Sequence, residues 1–277
     1  MTDPGAARAH LATATSSVRA TRGVICYAHR GARAHAPENT LLAFKVAFDL
    51  GADAIECDVR LSRDGRLVII HDDTVDRTTD GTGPVADQSY TELRGLDAGA
   101  RWRLPQRIPT LEEMLTLVRE RGGGVNLEVK GESGAASIAT AQELAVVLRE
   151  LGEGLREQVL VSSFEHPAVA LLKEELPWVR VAALFSDEWR RRDIIGPARL
   201  LGAEAIHPSV KLVSADVVRR AHESGLRINV WTANSWGTIR QLIAWGVDGL
   251  FSDCPERVII ARATMESDFA KSEMPPA

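Results

Sequence analysis

Residues 54–71 read Ala54-Ile55-Glu56-Cys57-Asp58-Val59-Arg60-Leu61-Ser62-Arg63-Asp64-Gly65-Arg66-Leu67-Val68-Ile69-Ile70-His71. Two strand-forming runs flank Asp64-Gly65, a pair that favours a tight turn. Parallel neighbours need a crossover of about a dozen residues or more, so these runs make an antiparallel hairpin. Elsewhere strand and helix patterns alternate. Strand-like runs occur at Val24-Ala28, Ala54-Val59, Val125-Val129, Val159-Ser163, Val181-Phe185, Ala205-His207, Ile228-Thr232 and Gly249-Ser252. Between them, apolar residues recur at three-to-four spacing in Leu41-Leu50, Leu111-Glu120, Ala139-Glu150, Ala168-Glu175, Ala215-Glu223 and Thr238-Trp245. Alternation of this kind implies a parallel sheet. With the hairpin's return run set aside, eight strands remain, the number that closes an α/β fold as a (β/α)8 TIM barrel. The segment at about 61–108 then becomes a small insertion after the second strand.

Composition narrows the function classes. The chain has 277 residues, 45% of them hydrophobic, enough for a large core. Residues 1–22, rich in Ala, Thr, Ser and Arg, read as a disordered tail; 23–263 as the folded domain; 264–277, ending Pro275-Pro276-Ala277, as a C-terminal tail. A net charge of -5 argues against a nucleic-acid binder, which would carry a basic stripe. Cys26, Cys57 and Cys254 are odd in number and lie in scattered, mostly apolar contexts, which favours buried thiols in a reducing, cytoplasmic compartment. No apolar run approaches the ~20 residues of a membrane span, and no signal peptide is recognisable. The expectation is no stable membrane association; oligomeric state is not readable.

The chemistry-bearing residues gather at strand ends. Side chains alternate along a strand, so Glu56 and Asp58 share one face, as do Glu128 and Lys130 in Val125-Asn126-Leu127-Glu128-Val129-Lys130. Three carboxylates suit a hard divalent cation, and all-oxygen ligation favours Mg2+ or Ca2+ over Zn2+ without choosing between them. His29-Arg30-Gly31 and His71-Asp72 add two histidines and a cation. Such a set can hold an anion beside a metal and move protons near neutral pH. Glu38 and Asn39 lie in the loop after the first strand; Glu38 is read as a substrate contact and Asn39 as the cap of the helix beginning near Leu41. Phe164 and Trp231 read equally as core or as substrate wall. His207, before Pro208, reads as structural.

In order and spacing, His29-Arg30-Gly31, Pro37-Glu38-Asn39-Thr40, Glu56-x-Asp58-Val59, His71-Asp72, Arg77-Thr78-Thr79, Glu128-x-Lys130, Ser162-Ser163-Phe164, Val230-Trp231-Thr232-x-Asn234 and Gly246-Val247-Asp248-Gly249-Leu250-Phe251-Ser252-Asp253 resemble the glycerophosphodiester phosphodiesterases, across residues 25–255. The resemblance, closest to the bacterial, cytosolic type, implies a distorted TIM barrel with an insertion after its second strand. It also implies hydrolysis of glycerophosphodiesters, such as glycerophosphocholine or glycerophosphoethanolamine, to sn-glycerol 3-phosphate and an alcohol, with Mg2+ or Ca2+. Carried over position by position, it makes Glu56, Asp58 and Glu128 metal ligands and His29 and His71 the acid/base pair. Arg30 and Lys130 become phosphate contacts, and Phe164 and Trp231 the pocket wall. Asp80, where Asn is usual, and Ala233, where Val is usual, depart from the pattern outside this set. Two alternatives carry forward: a phospholipase D-like enzyme acting on lysolipids, which should show an apolar loop, and a non-catalytic phosphate-binding barrel. The insertion carries Asp72, Asp73, Asp76, Asp80 and Asp87, which favours a soluble, small-molecule substrate. Retention of both histidines with all three carboxylates favours an enzyme.

Overall fold

A computed structural model describes residues 23–272; the N-terminal tail expected at 1–22 lies outside them. Its strands are β1 (Ile25–Ala28), β2 (Ala54–Leu61), β3 (Leu67–Ile69), β4 (Gly124–Val129), β5 (Val159–Ser163), β6 (Arg180–Phe185), β7 (Ala205–Pro208), β8 (Arg227–Val230) and β9 (Gly249–Ser252). All but β3 pair in parallel in the order β1-β9-β8-β7-β6-β5-β4-β2, and β1 also pairs with β2, closing the barrel. The strand β3 pairs antiparallel with β2, with Val59 opposite Ile69 and Leu61 opposite Leu67. Gly65 takes the turn at φ +73, a backbone region where a side chain is strained.

The helices are α1 (Leu41–Asp49), α2 (Tyr90–Gly95), α3 (Leu111–Arg121), α4 (Gly134–Arg149), α5 (Glu153–Arg156), α6 (His166–Glu175), α7 (Ile195–Leu200), α8 (Ala215–Glu223), α9 (Trp236–Ala244) and α10 (Pro255–Ser272). Hydroxyl caps start many of them: Thr40 accepts from Ala43 N at the head of α1, and Ser89 and Thr110 form reciprocal boxes with Glu92 and Glu113.

Strand alternation separates two apolar layers. Ile55, Cys57 and Val59 face outward into the core shared with the helices, while Tyr27, Ala54, Leu160, Ala182, Ala205 and Phe251 fill the barrel's interior. The insertion has its own core, with Val68, Ile70, Val75, Val85, Leu93, Ala98 and Ile108 buried together around α2. Connections with few apolar repeats, α5 and α7, escaped the periodicity reading. So did α10: a boundary at residue 263 falls inside a helix that continues to Ser272. Arg262 anchors it, donating to Val24 O at 2.8 Å and Asp53 Oδ2 at 2.6 Å, and Asp53 Oδ2 also accepts from Cys26 N in β1. Residues 273–277 lie outside those described. No helix among the described residues is long and apolar enough to cross a membrane.

Candidate active site

Glu56 and Asp58 point into the mouth of the barrel from β2, and Glu128 points there from β4, where Asp58 and Glu128 are register partners. All three are buried, and one oxygen from each lies within 4.8 Å of the others. Each of the β2 carboxylates is held through its second oxygen. Arg30 N donates to Glu56 Oε2 at 2.8 Å, and Asn39 Nδ2 donates to Asp58 Oδ2 at 2.8 Å.

These donors sit on strained backbone. Arg30 and Asn39 both adopt left-handed φ, +53 and +56, and Asn39 N donates to Arg30 O at 2.9 Å. Between them Gly31, at φ +79, packs so tightly on α1 that a Cβ would meet Ala43 backbone at 2.7 Å. The capping role expected of Asn39 is therefore corrected: Thr40 caps α1, and Asn39 clamps Asp58, its Oδ1 accepting from Asp58 N at 3.4 Å.

Cations close the site from two sides. Lys130 Nζ lies 3.3 Å from Asp58 Oδ1 and pairs with Glu128 Oε1; Arg30 Nε lies 3.5 Å from Asp58 Oδ2. Even so, Glu56 Oε1 is buried with no partner, and Asp58 Oδ1 and Glu128 Oε1 share the single ammonium of Lys130. A buried carboxylate oxygen without a partner is costly, and three carboxylates converging here fit a hard divalent cation. Burial, then repulsion from Asp58 and Glu128, pushes the Glu56 carboxyl well above the usual range. Burial pushes Asp58 the same way, but Lys130, Arg30 and His71 outweigh it and hold Asp58 low.

The two histidines are backed alike. His29 Nδ1 lies 2.7 Å from Asp253 Oδ1, and His71 Nδ1 lies 2.7 Å from Asp72 Oδ1. Carboxylates accept, so each ring is the Nδ1–H tautomer when neutral, with Nε2 free. Asp253 is held in turn by Asn234 Nδ2 at 2.8 Å and returns a backbone N–H to Asn234 Oδ1. Burial lowers the His71 pKa; Asp58 opposes and Lys130 and Arg30 reinforce that direction. His207 is wholly buried, takes a hydrogen bond from Asn229, and is pushed down to about 3 by burial, which keeps it a neutral core residue.

Phe164, 38% exposed just beyond β5, meets Trp231 edge-on at 5.5 Å between ring centroids, and Lys130 Nζ lies 5.7 Å from the Phe164 centroid. Trp231 Nε1 donates to His207 O. Glu38 is brought to the site but is taken by guanidiniums: Arg30 Nη1 at 2.9 Å, Arg33 Nη2 at 3.2 Å and Arg77 at 2.7 and 3.0 Å. Their donors outweigh burial and lower its pKa to about 2. The sequence reading gave no role to Asp72, Arg77, Asn234 or Asp253, though all lie in the quoted motifs. Arg60 was missed outright, although period-two alternation puts it on the face of Glu56 and Asp58. It is buried, donates to His71 O at 2.9 Å and pairs with Asp73 at 2.5 Å.

A family model described as the glycerophosphoryl diester phosphodiesterase family matches residues 29–257. The chain belongs to this family. A glycerophosphodiester phosphodiesterase from Caldanaerobacter subterraneus is 36% identical over 240 residues, covering 84% of this chain and 95% of the relative. One from Bacillus altitudinis is 36% identical over 248 residues, covering 87% and 98%. Among solved structures, an Oleispira antarctica phosphodiesterase in complex with the product sn-glycerol-3-phosphate superposes with a TM-score of 0.79 at 30% identity, covering 86% of this chain and 96% of that one. The chain is thus an enzyme of the glycerophosphodiester phosphodiesterase class, a phosphoric diester hydrolase on a TIM barrel, and its buried acidic triad is a candidate divalent-metal centre.

Proposed function

We propose that the enzyme cleaves small glycerophosphodiesters, glycerophosphocholine or glycerophosphoethanolamine among them, to sn-glycerol 3-phosphate and the free alcohol, with His29 and His71 moving the protons. The observation that carries this reading is the juxtaposition of three converging carboxylate oxygens, one of them on Glu56 without any partner, with two histidines, each tied to a carboxylate through Nδ1. Glu56, Asp58 and Glu128 would hold Mg2+ or Ca2+, which when bound supplies positive charge to the phosphate oxygens and lowers the pKa of a nearby hydroxyl. Arg30 and Lys130 neutralise the remaining charge of the diester. Phe164 and Trp231 wall the glycerol or head group, and Glu38 acts on substrate only through the arginines it holds.

Burial lowers the His71 pKa, which favours the neutral ring, and the Nδ1 bond to Asp72 leaves Nε2 to accept a proton. No Ser or Cys adjoins a histidine in the matched motifs, so the favoured nucleophile is the substrate's own glycerol hydroxyl beside the phosphate. One histidine removes its proton as the O–P bond forms, the other protonates the departing alkoxide, and water then opens the cyclic phosphate. Holding the nucleophile next to phosphorus can supply ~7–11 kcal/mol of the barrier. The insertion's polar composition favours soluble substrates over lysolipids, and the paired histidines favour catalysis over mere phosphate binding.

The test is incubation with glycerophosphocholine and Mg2+ or Ca2+, reading sn-glycerol 3-phosphate and choline. Full turnover after exhaustive EDTA treatment would remove the metal from the mechanism. A substrate lacking the adjacent hydroxyl should bind yet scarcely react; comparable kcat would make water the direct nucleophile.

A further inference from the structure

The two histidines are joined behind the site. From His71 the chain of contacts runs to Asp72, then to Arg77, whose Nε donates to Asp72 Oδ2 at 2.5 Å and Nη2 to Asp72 Oδ1 at 3.1 Å. The far edge of the same guanidinium donates to Glu38, Nη1 to Oε2 at 3.0 Å and Nη2 to Oε1 at 2.7 Å. Glu38 also pairs with Arg33, whose Nε lies 3.7 Å from Asp253 Oδ1, the carboxylate on His29. Charges alternate throughout: Asp72, Arg77, Glu38, Arg33, Asp253. The chain crosses from the insertion to the loop after β1 and on to the loop after β9.

We propose that Arg77 is a positioning residue for His71, acting through Asp72, and that Glu38 anchors it as the central link of an ion-pair chain running behind both histidines. The proposal rests on the reading of His71 as an acid/base residue.

Geometry sets what Arg77 does. Asp72 follows His71 directly in a bend after β3, where an aspartate has two free side-chain torsions and can swing to solvent. A planar guanidinium that engages one carboxylate along each of two edges fixes both carboxylates relative to its plane. Asp72 is thereby locked with Oδ1 on His71 Nδ1, which orients the ring and leaves Nε2 free. Lysine, a single point charge, cannot hold two carboxylates in this way. The site's machinery then depends on a residue of the insertion that need not touch substrate.

The decisive experiment compares Arg77→Ala, Arg77→Lys, Asp72→Asn and His71→Ala in the full chain with glycerophosphocholine and the supporting divalent cation. Arg77→Ala and Asp72→Asn should each lower kcat ~10–100-fold, with KM moving less than about threefold, and Arg77→Lys should not restore it. Adding Arg77→Ala to His71→Ala should cost nothing more. Long-range 1H–15N spectra should show His71 as one Nδ1–H tautomer in the parent and a mixture in Arg77→Ala. Should that variant fail to fold, Arg77→Lys and Asp72→Asn carry the same comparison.

Rescue by lysine, a raised KM with kcat retained, multiplicative losses with His71→Ala, or an unchanged tautomer would each overturn the proposal. An unaffected kcat in His71→Ala would instead overturn the acid/base reading, and the tautomer spectra would still decide whether Arg77 orients the ring.

Discussion

Asn39 shows how much a single residue can carry at this site. A short polar side chain tolerates left-handed backbone, and that conformation lets Asn39 span Asp58, donating to its carboxylate and accepting from its amide. Asn39→Ala should therefore weaken metal binding ~10–100-fold, the usual scale for a residue that orients a ligand. Titration of Mg2+ or Ca2+ into the metal-free protein by calorimetry checks this, and unchanged affinity would make Asn39 merely a loop residue. The histidines belong to the same scale. His29→Ala and His71→Ala should each lower kcat by ~10²-fold or more. A nitrophenyl leaving group, which departs without a proton, should rescue whichever histidine is the acid. If neither variant responds to leaving-group pKa, proton transfer lies elsewhere.

At the scale of elements, the hairpin of β2 and β3 was legible because Asp64-Gly65 leaves no room for a crossover, and the barrel followed from counting what remained. Glu56, Asp58, Glu128 and Lys130 were legible through period-two alternation. Asn39 was misread because capping depends on which residue of Asn39-Thr40 takes the extended conformation, a one-residue difference that composition does not encode. The ion pairs of Glu38 with Arg30, Arg33 and Arg77 were not legible either, since they join segments that meet only once the insertion folds back. These pairs imply an acid-sensitive joint between the loop after β1 and the insertion. The folded pKa of Glu38, about 2, lies below its ordinary value of 4.5. Its contribution is thus fully present above about pH 4.5 and lost as pH falls toward 2, on the order of 3 kcal/mol for this buried group. Chemical denaturation across that range should show the loss, and Glu38→Gln should flatten it. An equally steep acid dependence in the variant would assign it to other carboxylates.

For the whole molecule, the cost of the site should appear as metal-dependent stability. Lys130 and Arg30 compensate Asp58 and Glu128, but Glu56 keeps a buried oxygen without a partner and is repelled by both neighbouring carboxylates. A cation bound at the triad would stabilise the folded chain by about 2.7 kcal/mol at a hundredfold excess over Kd. For a domain of this size that corresponds to a Tm rise of about 5–10 °C. Glu56→Gln removes one of the repelling charges at nearly constant volume. The variant should therefore melt, metal-free, at or above the parent's temperature, lose activity, and gain little from added Mg2+ or Ca2+. Scanning calorimetry on both proteins, with and without metal, separates the possibilities. A metal-free Tm that drops as far as a core truncation would make Glu56 a structural group of the barrel. An undiminished metal response in the variant would place the cation away from the triad.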